Sequence, residues 1–166
     1  ITEASARYLW RQERYEEARE QIDMVLEKEP ENHGALLISG LVEAREGDLD
    51  SALKIFSTVR ALAPDNFDLV LQIGVLQRQL EMYAESIETF NDASRLAPAR
   101  YEAHLNLSVA YDLTDKLEKA IDSARTALAL DPERSSTRKY LAQLLVKNNL
   151  LDEAGTILQE GLVKTP

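Results

Sequence analysis

The five prolines of this 166-residue chain stand at Pro30, Pro64, Pro98, Pro132 and Pro166, each 34 residues after the last. Proline cannot continue a helix. Its recurrence at one fixed interval marks a short unit repeated five times and restricts the fold to architectures that stack such units. The reference unit is Leu36 to Pro64, over which every other segment lies without insertion or deletion. Its first half sets Gly40 among apolar residues and runs to Glu46. Gly47-Asp48 then breaks the pattern, and the second half carries Ala52 and Phe56 four apart before Pro64 closes it. The units run 1–32, 33–66, 67–100, 101–134 and 135–166, forming a single array over 1–166 with no linker or low-complexity segment inside it.

Superposed, the units form columns. The second halves share Ala18, Ala52, Ser86, Ala120, Ala154 and, four residues on, Ile22, Phe56, Phe90, Ala124, Leu158. The first halves share the small residues Ala6, Gly40, Gly74, Ser108, Ala142, preceded by Ser5, Ser39, Ile73, Leu107, Leu141. This 34-residue helix-turn-helix pattern resembles the tetratricopeptide repeat family along the whole chain. The resemblance implies an all-α fold, an α-solenoid of antiparallel helix pairs wound as a right-handed superhelix, with the first helices lining a concave groove that holds peptides. Two family places are degenerate: Leu36, Val70, His104, Arg138 replace the tryptophan, and Leu9, Glu43, Gln77, Tyr111, Leu145 contain the tyrosine once. The physics of the columns agrees. One helix pair cannot bury its own apolar face, so neighbouring units must share a core, with small residues where backbones approach and large ones filling between ridges.

The formal net charge of −10 argues against nucleic acid, which requires clustered Lys and Arg. It argues equally against an anionic membrane surface, so the compatible partner is a basic or uncharged protein or peptide. The absence of cysteine excludes disulfides, thiolate zinc sites and cysteine nucleophiles. No apolar run reaches the ~18 residues of a membrane span, so no membrane insertion is expected. The opening ITEASARYLW lacks the features of a secretory signal, and a cytoplasmic location follows from those missing signals alone. The chain starts inside a repeat without methionine and stops on a repeat's closing proline, which points to a piece of a longer protein.

Helices are predicted near Ile1–Arg11 and Tyr15–Lys28, Asn32–Glu46 and Leu49–Ala63, Asn66–Leu80 and Tyr83–Leu96, Arg100–Leu113 and Leu117–Leu130, Arg134–Lys147 and Leu151–Lys164. The turns fall at Glu13-Arg14, Gly47-Asp48, Glu81-Met82, Asp115 and Asn148-Asn149. Gly47 supplies a left-handed helix end and Asp48 a cap, while asparagine tolerates the left-handed region at the last turn. The single tryptophan, Trp10, reads as packing near an exposed end. In the last helix Leu151, Ile157, Leu158, Leu162 and Val163 look only partly covered.

No catalytic constellation is present. His33 and His104 lie two units apart, and His104 occupies a packing column. Phosphate-loop, dinucleotide and zinc-protease spacings are missing. Asp48-Leu49-Asp50 lacks the glycine and closing glutamate of a calcium loop. The reading is therefore a non-enzyme without cofactor or metal.

The groove carries the information. Two columns four apart on the first helices share a face: Leu37, Leu71, Leu105, Lys139 and Leu41, Val75, Val109, Gln143. In units two to four they make a six-residue apolar strip. Between them fall Ile38, Gln72, Asn106, Tyr140, where Gln72 and Asn106 offer amides that can both donate to and accept from a peptide backbone. A further column reads Arg11, Arg45, Gln79, Leu113, Lys147, with Arg7 and Arg78 nearby. The expected site is thus Leu37, Leu41, Leu71, Val75, Leu105 and Val109 for apolar anchors, Gln72 and Asn106 for backbone, and Arg45 and Arg78 for acidic groups. A tightly wound array would instead bury the strip, or a capping helix of the same protein would cover it.

The resemblance also covers domains that clamp a chaperone's C-terminal carboxylate, but Leu37, Leu41, Leu71 and Val75 stand where that clamp needs Lys and Asn, which disfavours it. Three functions compete: a non-catalytic scaffold binding a partner's peptide or helical segment in the groove, a self-association or assembly module forming homo-oligomers through the end repeats, and a regulatory or targeting arm of an enzyme whose catalytic domain lies elsewhere.

Overall fold

The computed structural model describes residues 3–164, with side chains described through residue 161. Among the described residues there are ten helices and no strand: α1 Glu3–Arg11, α2 Tyr15–Leu26, α3 His33–Glu46, α4 Leu49–Leu62, α5 Phe67–Gln79, α6 Tyr83–Leu96, α7 Tyr101–Leu113, α8 Leu117–Leu130, α9 Ser135–Lys147 and α10 Leu151–Lys164. The all-α helical-repeat fold implied by the columns is what the chain adopts. Of the sequence-based expectations, Ile1 and Pro166 fall outside the described residues, as do the side chains of Leu162 and Val163.

Sequence reading starts α3, α5, α7 and α9 one residue early, and the reason is local. Asn32, Asn66, Arg100 and Arg134 are N-caps with extended backbone, at ψ of 104°, 99°, 110° and 96°. The Asn32 carboxamide oxygen accepts from the Ala35 amide at 2.9 Å, and that of Asn66 from Leu69 at 3.1 Å. Each satisfies one of the amides that a helix start leaves unpaired. Arg100 and Arg134 hold the same place without a side-chain cap. The second helix of the first repeat ends at Leu26 instead of Lys28, whose amide bonds back to the Val25 carbonyl at 3.1 Å in a tightened turn.

The turns inside the repeats share one geometry. Residues Glu13, Gly47, Glu81, Asp115 and Asn149, each 34 apart, all take positive φ, between 55° and 91°. The following amide then reaches the carbonyl five residues back, as in Arg14 to Leu9 at 3.0 Å, Asp48 to Glu43 at 3.0 Å, Lys116 to Tyr111 at 2.9 Å and Leu150 to Leu145 at 2.8 Å. This is a helix C-terminal cap whose left-handed residue is most often glycine. Here glycine fills it once.

The helices fall into two compact bodies, one through Glu81 and one from Met82. In the N-terminal body, α1 packs on α2 and α3, and α3 on α4, which packs in turn on α5. Its core contains Ala6, Ile22, Ile38 and Val42, with a second cluster around Ala52, Phe56, Val59 and Ile73. Full burial of a ring such as Phe56 contributes about 2–3 kcal/mol. In the C-terminal body, α7 packs on α6 and α8, and α9 on α8 and α10. Its core holds Ala120, Ile121, Ala124, Leu141, Leu144 and Leu145. Ser108, in the small-residue column, is fully buried and donates to the Ala120 carbonyl at 2.7 Å, so its hydroxyl does not go unpaired at this close approach.

The degenerate tryptophan column has a use in this body. His104 Nε2 lies 3.4 Å from the Pro98 carbonyl, and Arg138 donates to the Pro132 carbonyl, the same partner one repeat later. Arg138 is buried, at 9% exposure, and its stem packs against Gly161 on α10. On α10, Ile157 packs into the core, whereas Leu151 and Leu158 are 58% and 43% exposed.

Candidate functional site

The first helices of the N-terminal body enclose a cleft of about 430 Å³. Its floor is apolar, from Leu37, Ile38 and Leu41 on α3, with Phe56 behind them and Leu69 beside them. One wall is α1, presenting Arg7, Trp10 and Arg11. The other is the start of α5, presenting Asn66, Asp68 and Gln72. The cleft forms because the residues of α3 four apart, Leu37 and Leu41, turn one face toward it, while Ile38, between them, is sunk into the core at 2% exposure.

Of the ten residues expected from sequence, the structure brings Leu37, Leu41 and Gln72 together around this cleft. Leu37 and Leu41 are half-buried and Gln72 is exposed. Leu71 and Val75 lie on α5, half-buried and outside the lining. Arg45 is exposed but occupied elsewhere: its guanidinium lies 5.7 Å from the centre of the Tyr15 ring on α2, whose hydrogen bond and charge raise the arginine's pKa further. Arg78 is half-buried, with its Nε enclosed and without a hydrogen-bond partner.

The other three residues sit on α7 in the C-terminal body. Leu105 and Val109 are half-buried there. The Asn106 amide donates to the Glu102 carbonyl of its own helix at 2.9 Å. Along this face Asp112 ties α7 to α9, accepting from Lys147 Nζ at 2.7 Å and from the Tyr140 hydroxyl at 3.3 Å. The same carboxylate raises the Lys147 pKa by hydrogen bond and charge. Lys147 is therefore committed within the fold, as Arg45 is.

Sequence reasoning left Trp10 out of the site. It sits in the cleft wall, half-buried, with its indole nitrogen enclosed and unpaired. Arg7 and Arg11 stand with the groove columns in the sequence but outside the expected site. They occupy in the first repeat the columns that Leu41 and Arg45 occupy in the second, so carrying the groove columns back by one period finds them. Among the described residues no group of His, Asp or Glu is arranged to hold a metal, and no helix is long and apolar enough to cross a membrane.

A sequence model described as "Tetratricopeptide repeat" matches residues 4–67, 71–135 and 114–166. No curated protein matches the sequence. Among solved structures, MamA 41-end from Desulfovibrio magneticus RS-1 superposes with a TM-score of 0.87 at 24% identity, covering 96% of this chain and 90% of that one. The MamA RS-1 ArsTM double mutant gives 0.88 at 24% identity, covering 96% and 89%. PilF of Pseudomonas aeruginosa gives 0.81 at 19% identity, covering 96% and 74%. At these identities the likeness is one of fold.

Proposed function

This chain belongs to the tetratricopeptide repeat family, and from that premise we propose that it is a non-catalytic scaffold holding a peptide or helical segment of a partner protein against the first helices of its repeats. The observation that carries the reading is the cleft of the N-terminal body. It has an apolar floor of Leu37 and Leu41 and polar rims that include Gln72, the combination by which protein sites anchor apolar side chains and orient backbone. Leu71 and Val75 extend the proposed surface along α5 of the same body, and Leu105, Asn106 and Val109 offer a separate surface on α7 of the C-terminal body. Arg45 and Arg78 contribute least, since one stacks on Tyr15 and the other is half-buried.

A photo-crosslinking residue at Gln72, in the full-length protein in its native cells, tests the reading. Gln72 should capture a discrete partner peptide that a crosslinker at Ser57, exposed on α4, does not. Leu41→Ser should abolish the capture with the helical circular dichroism intact. Equal labelling from both positions overturns the reading.

One observation favours a second reading, association between copies through the end repeats. Tyr8 is 62% exposed, whereas its column in the later repeats, Val42, Leu76, Ala110 and Leu144, is at most 4% exposed. Leu158 is 43% exposed where Ile22, Phe56, Phe90 and Ala124 are at most 2%. Light scattering over a concentration series separates the two: a mass that rises with concentration in the wild type and not in Leu158→Glu supports association, and a constant monomer mass excludes it.

A further inference from the structure

The cleft of the N-terminal body is electrically lopsided, and the asymmetry selects its occupant. Arg7 and Arg11 stand one helical turn apart on the α1 wall, while Asp68, Asn66 and Gln72 form the α5 wall. In a chain of net charge −10, two guanidiniums side by side on an apolar floor are a local exception. They are also available. Arg11 is exposed and makes no ion pair among the described residues. Arg7 pairs only with Glu3, four residues earlier on the same helix, with side chains 50% and 34% exposed. Such surface pairs contribute little, so an incoming carboxylate can replace Glu3.

We infer that this cleft takes a partner segment in which bulky apolar side chains are flanked on one side by Asp or Glu, with the apolar groups on Leu37, Leu41 and Trp10 and the carboxylates on Arg7 and Arg11. The inference rests on the protein-binding reading above and adds to it the chemistry and the orientation of the ligand. Arginine suits the task because its planar fork binds a carboxylate through two parallel hydrogen bonds. Asn66, Asp68 and Gln72 on the opposite wall offer no cation, so the acidic flank lies against α1. The basic contacts come from the first repeat, since the Arg45 guanidinium is taken up by Tyr15.

Trp10, the only tryptophan, makes the test site-specific. A random 12-residue peptide display library is panned on the whole chain, on Arg11→Gln, which leaves the Glu3–Arg7 pair intact, and on Arg7→Glu/Arg11→Glu. Enriched peptides without tryptophan are then titrated by Trp10 emission at low and high salt. The expected result is enrichment of Asp and Glu beside apolar anchors, a saturable change in Trp10 emission, weakening by salt, and about a tenfold loss of affinity in the double variant. Enriched peptides with no acidic bias, or with affinity indifferent to both arginine variants, overturn the charge assignment and leave the groove reading standing. Binding that leaves Trp10 emission unchanged overturns the cleft as the location. A library yielding no enriched peptide on any of the three proteins overturns the inference together with the reading beneath it.

Discussion

The ring of Phe56 on α4 fills the space that a side chain at Gly40 on α3 would need: a Cβ built there lies 2.3 Å from the ring's Cε1 and 2.6 Å from Cδ1. Gly40 is therefore required by a close approach, and the two columns are coupled in size. Where the fourth repeat has the larger Ser108, the partner column shrinks to Ala124.

Gly40→Ala should lower stability by about 1–3 kcal/mol through overpacking, even though alanine favours a helix over glycine by about 1 kcal/mol. Phe56 is 1% exposed and packed among Ala52, Val59 and Ile73, so the ring can yield only by displacing core neighbours. Adding Phe56→Leu to Gly40→Ala should recover part of the loss in urea denaturation. A Gly40→Ala protein as stable as wild type would refute the steric account.

The left-handed turns supply a graded prediction. Glu13 holds φ of 59° and Gly47 φ of 91°, and a non-glycine residue there costs about 1–2 kcal/mol. Glu13→Gly should raise stability by about 0.5–1 kcal/mol after glycine's own entropy is counted. Asn149→Gly should gain less, because asparagine tolerates the region. Gly47→Ala should lose about 1 kcal/mol, and denaturation midpoints will order the three.

Asp48 caps α4, accepting from the Ser51 amide at 3.0 Å, and this backbone hydrogen bond pulls its pKa below the usual aspartate value. A carboxylate with a depressed folded-state pKa stabilises the fold above its unfolded pKa, and that contribution fades as pH falls through the depressed value. The melting temperature of Asp48→Ala should therefore lie below wild type at pH 7, with the gap closing below about pH 4. Asp48→Asn keeps an acceptor and should show a smaller gap at neutral pH.

Arg138 is a buried cation serving as packing. Replacing such a group by an apolar one of similar length is often neutral or stabilising, so Arg138→Met should hold its melting temperature while Arg138→Ala loses about 1–3 kcal/mol to a cavity. A Cβ at Gly161 would lie 2.7 Å from the Arg138 Cδ. Gly161→Ala should accordingly cost more in the wild type than in Arg138→Ala, a coupling that a double-mutant cycle measures.

Read alone, the residues of this chain determine the period, the ten helices and the small-to-large pairing of columns, because helix caps, turn signals and apolar spacing act within a few residues of one another. Prolines every 34 residues and Ala18, Ala52, Ala120 and Ala154 in register leave no other architecture. What a side chain does at the surface was decided only by tertiary structure, because it depends on neighbours a whole repeat away. Arg45 and Lys147 share a column with Arg11, yet Tyr15 takes the first and Asp112 the second, and Arg11 alone of the three faces the cleft. Ile38 and Gln72 share another, and packing buries one and exposes the other. Periodicity assigns positions to a face. Which of them remain open to a partner is settled by the helices packed alongside.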